Sequence, residues 1–127
     1  MPVEQDIRER LYNNAAVGAV VGSDVNARIY LGMLEQDVTY PAILVEKISA
    51  LRSNKLAGGN AHYTRDLFQV TCWDPAYGTA KTLATKVIAA LNGTTSPAIT
   101  AGTEIDLHDS AAGVFHVATD FTVMHNP

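Results

Sequence analysis

Four histidines and a single cysteine are the side chains of this sequence most readily put to chemical work. His108 and His116 flank a turn, with Asp106 and Asp120 nearby, so two hairpin strands could gather imidazoles and carboxylates around a divalent ion. No His-x-His or His-x-x-x-His spacing fixes that geometry, and the plainer reading is a polar, solvated or subunit-facing sheet surface. Cys72 could be a nucleophile with His62 as its base, yet it shares a predicted strand face with Phe68 and Val70, where a thiol is an inert packing group. Gly58-Gly59 is not a phosphate loop, since neither Gly-Lys-Ser/Thr nor Gly-x-Gly-x-x-Gly leads into a helix. Ser96 and Ser110 lack the strand–turn–helix setting of a nucleophile elbow. The scan therefore assigns no catalytic residue, no cofactor and no metal. Arg52, Lys55 and Arg65 lie in or beside a long irregular stretch and could meet phosphate or an acidic partner; a solvated loop explains them equally well. Trp73 and Tyr77 straddle a strand–helix corner, where they either cap the core or anchor an interface.

Composition narrows the classes further. At 127 residues, 47% of them hydrophobic and 17% charged, the chain is one globular domain (1–127) with enough apolar mass for a core. So low a charge fraction leaves little to cover a surface and favours a protein with partners. Thirteen acids against nine bases give a net charge of −4, and no window concentrates Lys or Arg, which argues against affinity for nucleic acid through phosphate neutralisation. One cysteine excludes an internal disulfide and a cysteine-rich zinc site. The start, Met1-Pro2-Val3-Glu4-Gln5-Asp6, is acidic where a signal peptide is basic. The apolar run from Ala15 to Val21 is too short to span a bilayer, so the expectation is a protein made and kept in a cytoplasm.

The element that must position everything else runs from Leu67 to Gly93. Leu67-Phe68-Gln69-Val70-Thr71-Cys72-Trp73 is β-branched and aromatic, as a packed strand is. Asp74-Pro75 ends it, with Asp offering a cap and Pro suited to a first helical position. Ala80, Leu83, Ala84, Val87, Ile88 and Leu91 then form one apolar stripe, and Gly93 supplies a left-handed helix end. Before this element, Val3, Ile7 and Leu11 mark a helix over residues 3–13, which Ala15 to Val21 either continues or follows as a second one. Arg28 to Leu34 and Pro41 to Ile48 read as strands, Ser49 to His62 as a long loop of the kind that is functional or disordered, and Tyr63 to Trp73 as the third strand. After it, Thr94 to Gly102 reads as loop. Thr103 to His108 and Val114 to Met124 form a hairpin, the first strand alternating Ile105 and Leu107 against Glu104, Asp106 and His108. The order α-β-β-β-α-β-β describes an α+β fold, a mostly antiparallel mixed sheet with helices on one face.

Taken together, Arg28-Ile29-Tyr30, the Pro-led strand Tyr40-Pro41-Ala42-Ile43-Leu44-Val45-Glu46-Lys47-Ile48-Ser49, the strand Leu67 to Trp73 with its helix, and the closing Asp120-Phe121-Thr122-Val123 resemble a known family. It is the tail-completion family (tail-terminator, head–tail joining proteins) of long-tailed bacteriophages and prophages. The likeness runs from about Val17 to Val123 and lies in the order and spacing of the elements. It departs at Gly32-Met33-Leu34-Glu35, where a more turn-like segment is expected, and in having no strongly basic loop. The resemblance implies a structural virion protein, assembled in the host cytoplasm, that forms a ring, usually a hexamer. Such a ring caps the tail tube, ends its polymerisation and meets the head-completion or connector protein, while DNA passes through the lumen without being read. Tube, connector or subunit contacts are then expected from the loop and its flanks: Arg52, Lys55, Leu56, Gly58, Gly59, Asn60 and Arg65. Two alternatives stay open, another neck or minor tail subunit on a related fold and a small metal-dependent hydrolase using His108 and His116.

Overall fold

The helices α1 (Val3–Asn13) and α2 (Ala15–Val21) lead into the strands β1 (Ile29–Leu31), β2 (Ala42–Ser53) and β3 (Tyr63–Asp74). The helix α3 (Tyr77–Leu91) and the hairpin β4 (Ala98–Asp109) and β5 (Val114–His125) complete the chain. The computed structural model describes residues 3–22, 27–33, 38–53, 63–94, 98–110 and 113–125. The five strands lie in one sheet in the order β1-β2-β3-β5-β4. β1 is parallel to β2, and every other pairing is antiparallel. The fold is α+β, as the sequence implies.

Register decides which side chains are buried. Ile43 pairs with Cys72, Cys72 with Val117 and Val117 with Asp106, so these four point to one face. On that face Val45, Phe68, Val70, Phe121 and Val123 join Ile43, Cys72 and Val117 beneath the helices, and all are essentially inaccessible. α3 contributes Ala80, Leu83, Ala84, Val87 and Leu91, with Ile88 partly buried beside them. Ile7 and Leu11 of α1 and Val17 and Val21 of α2 close the same core. The apolar stripe read from the α3 sequence is thus the one that packs.

The N-terminal helical stretch is two helices. Asn14 breaks it, its side-chain oxygen accepting from the N–H groups of Ala16 (3.0 Å) and Val17 (3.2 Å), which caps α2. Two arginines fasten this layer to the sheet. Arg8 donates to the carbonyls of Ile29 (2.8 Å) and Ala27 (3.3 Å), and Arg28 donates to those of Pro41 (2.9 Å) and Val20 (2.8 Å).

Several boundaries differ from the sequence reading. β2 does not stop at Ile48 but runs on to Ser53, so the first five residues of the expected 49–62 loop are strand. A bulge between Lys47 and Ser49 interrupts the alternation that would have shown this, leaving Ile48 exposed. β4 begins at Ala98, not Thr103, and again a bulge, between Ala101 and Glu104, hides the continuity. At the corner, Asp74 accepts from the N–H of Ala76 at 2.8 Å and the helix starts at Tyr77, so Pro75 lies in the turn and not at the first helical position. Gly93 has φ +85°, but it follows an extended Asn92, and the Thr94 N–H returns to the Leu91 carbonyl at 3.4 Å. That is a type II turn, whose third residue needs positive φ.

Candidate functional site

The histidines weighed as an alternative metal pair are separated by the register of the hairpin. His108 lies opposite Phe115 and His116 opposite Leu107, so the two imidazoles project to opposite faces of the sheet. On the helix side His108 packs on the Phe115 ring, centroids 4.4 Å apart. On the helix-free side His116 lies flat against Trp73, at 4.2 Å and 6° between planes. Asp106 shares the helix face, while Asp120 pairs with Gln69 on the other. The register therefore does not bring together the His108/His116 pair of the alternative hydrolase reading, since the two side chains leave opposite faces of the sheet. Among the described residues no group of three or more His, Cys, Asp or Glu side chains converges.

Cys72 is buried in the core, where desolvation, and secondarily the charge of Glu104, push its thiol far above the ordinary range. It is a packing group. Its suggested partner His62 lies outside the described residues. Trp73 and Tyr77 do not act together. Trp73 faces the helix-free side, whereas the Tyr77 ring stands edge-on to Phe115 at 5.4 Å on the helix side.

Of the seven residues expected to make contacts, Lys55, Leu56, Gly58, Gly59 and Asn60 lie outside the described residues. Arg52 sits in the outer half of β2, and Arg65 is exposed on β3, opposite Leu51. The register thus brings Arg52 and Arg65 to the same end of the β2–β3 ribbon.

Sequence reasoning missed a polar cluster where α3 meets β4. The Tyr77 hydroxyl donates to Asp106 at 2.7 Å, and Lys81 Nζ lies 3.1 Å from carboxylate oxygens of both Asp106 and Glu104. The hydrogen bond from Tyr77, followed by that from Lys81, holds the Asp106 carboxyl below its ordinary range. Hydrogen bonds to Asp106 and then Glu104 raise Lys81, and the bond to Asp106 raises Tyr77. The i, i+4 spacing of Tyr77 and Lys81 was a legible signal for one shared partner. The cluster clasps an edge strand to the central helix, and its groups are water-exposed.

β4 also shows why the helix-free face is unusual. Glu104 and Asp106 turn toward α3, so Ile105 and Leu107, 49% and 48% exposed, stand on the side of the sheet away from the helices. With Trp73, His116 and Ala118 they give that side an apolar character. At the opposite edge a cleft of about 470 Å³ opens between the start of α1 and the β1–β2 pair, lined by Glu4, Gln5, Leu31, Gly32, Val45 and Lys47. Met33, 74% exposed, lies just beyond β1. Exposed apolar surfaces of this kind are suited to contact with proteins.

Comparison with known proteins agrees. A solved chain described as part of the virion of a native gene transfer agent particle shares this fold at a TM-score of 0.74 and 13% identity, over 95% of this chain and 92% of that one. No curated protein matches the sequence. The family model for tail completion protein gp17 matches residues 5–126, from the first turn of α1 to the end of β5. The chain therefore belongs to the tail completion protein gp17 family, and is a structural protein of the phage tail.

Proposed function

We propose that this protein closes the phage tail tube as a ring, with six subunits as the expected count. The ring binds the last tier of the tube protein, stops further polymerisation and offers its other face to the head-completion or connector protein. It works by occupying a surface, without catalysis. DNA traverses the lumen unread, which suits a subunit of net charge −4. The observation that carries this reading is the family match across residues 5–126. The exposed apolar side chains at both sheet edges support it, since a ring needs two different patches on each subunit that meet head to tail.

Polymerising tail tube protein in the presence of purified subunit tests the reading by electron microscopy. The expected result is tubes that stop growing and carry added density at one end only. Tubes that elongate as before, with bare ends, would overturn it.

A further inference from the structure

Among the described residues the sheet is open along half of each outer edge, one half carrying Glu104 and Asp106 and the other Lys47 and Arg52. β1 covers only Ile43 to Val45 of β2, with Gly32 adding one bond to the Val45 carbonyl. From Glu46 to Ser53, no described strand pairs with β2 on that side. Because Ile43 and Val45 direct their outer backbone groups toward β1, alternation carried through the β3 register places those of Lys47, Ala50 and Arg52 outward. On the outer side of β1, Arg8 takes the carbonyl of Ile29 and that of Ala27 just before the strand.

The opposite edge has the converse arrangement. At the start of β4, Ile99 exchanges hydrogen bonds with Gly93 and Thr94, and the Ala101 N–H goes to the Asn92 side chain at 2.9 Å. Past the bulge the outward backbone groups are those of Glu104, Asp106 and His108, and among the described residues nothing pairs with them.

We propose that this open half of β4 pairs with the open half of β2 of a second copy of the chain, joining neighbouring sheets edge to edge. The inference rests on the ring reading above and names its subunit contact. Three antiparallel steps separate β2 from β4, so placing two subunits side by side in the same orientation brings these strands together antiparallel. Glu104 and Asp106 share a single Lys81, and on the facing strand Lys47 projects to the same helix side of the sheet. Lys47 Nζ also meets the buried Asp66 carboxylate of β3 at 3.6 Å; Arg52 adds a second positive residue further along that half-edge, and Glu46 is the acidic residue of the strand itself. Pairing β4 with β4 sets carboxylates against carboxylates, and pairing β2 with β2 sets cation against cation; only the unlike pairing joins opposite signs. Self-complementary dimers are thereby disfavoured and a head-to-tail contact favoured, which closes into a ring when the rotation allows. The bulge on each edge restrains indiscriminate strand addition. The two open halves lie at opposite ends of the sheet, so neighbours are offset along the strand direction and the strands tilt against the ring axis.

Hydrogen exchange on the unmodified protein, free and assembled on tail tubes, tests the contact. Peptides covering Gly102 to Asp109 and Glu46 to Ser53 are expected to slow by at least about tenfold in the assembled state, as newly paired strand amides do. Rings that form while both segments exchange as fast as in the free chain would overturn this contact and leave the ring reading standing. Failure to form any ring would remove both. Charge reversal gives a second test: Lys47→Glu and Glu104→Lys, each confirmed folded by circular dichroism, should assemble poorly alone. An equimolar mixture should recover rings, because alternating subunits restore opposite signs at every contact. If either variant assembles as well as the unmodified protein, or if folded variants fail to recover on mixing, the proposal falls.

Discussion

The Tyr77 hydroxyl donates a 2.7 Å hydrogen bond to Asp106, tying the first turn of the central helix to the outermost strand. Lys81, one turn on, holds the same carboxylate. Folding lowers the Asp106 pKa from its ordinary 3.8, so the folded state prefers the charged form. The resulting stability is present above that ordinary value and lost as the pH falls through the lowered one. Asp106→Asn should therefore melt below the wild type at neutral pH, and the gap should close toward pH 3. Lys81 and Tyr77 have the opposite sign: their raised values make a contribution that is complete below about pH 10 and fades as the solution becomes more alkaline. Thermal melts of both proteins from pH 3 to 8 check the acid limb, and a constant gap would count against it.

The only thiol of the chain is inert while the chain is folded. Cys72 is buried between strand neighbours, and desolvation opposes its thiolate. A disulfide exchange reagent should label it slowly in buffer and rapidly in guanidinium chloride, at a rate limited by opening of the core. Rapid labelling of the native protein would mean that β3 opens far more easily than its packing implies.

How far the sequence foretold this arrangement depended on whether a single period ran unbroken. The α3 stripe from Ala80 to Leu91 and the paired faces of β3 and β5 were legible because each keeps one period from end to end. β2 and β4 were truncated at Ile48 and Thr103 because a bulge adds one residue and inverts the alternation. Ile105 and Leu107 show a second limit. Alternation reveals that two faces differ but not which one meets the helices, and here Lys81 draws the carboxylates inward. The metal pair failed on register, which depends on where the hairpin turns. No periodicity marks the open sheet edges, since they follow from strand order.

Asn14 is expected to be the most sensitive polar residue of the helical layer. It accepts two N–H groups at the start of α2, a helix of only seven residues that cannot sustain itself without a cap. Asn14→Ala should cost about 1 kcal/mol, read as a lower urea midpoint with an unchanged slope. Asn14→Asp keeps an acceptor and should retain most of the stability.

Phe68 and Phe121 face each other across β3 and β5, both fully buried under α3. Removing either ring leaves a cavity bounded by strands fixed on both sides, so the site collapses poorly. Phe68→Ala should cost about 3–5 kcal/mol, and Phe68→Leu much less because most of the volume stays filled. Domains of this size have about 5–15 kcal/mol in total, so the alanine variant should be folded but close to its limit, with a markedly lower melting temperature.

Trp73 offers a direct reading of the helix-free face because it is the only tryptophan in the chain. One side of its indole is covered by the flat imidazole of His116 at 4.2 Å. A stacked pair of this kind is worth about 0.5–1.5 kcal/mol beyond the area it covers. His116→Ala should uncover the ring, moving tryptophan emission to longer wavelength and making it more accessible to acrylamide, with a modest loss of stability. His116→Phe keeps a planar group in place and should leave the emission near that of the wild type. The comparison separates stacking from any polar role of the imidazole: if phenylalanine fails to restore the spectrum, stacking is not what shields the indole. If assembly joins sheets through β2 and β4, the same emission should change little when rings form, because Trp73 lies on the face between those edges and not at either of them.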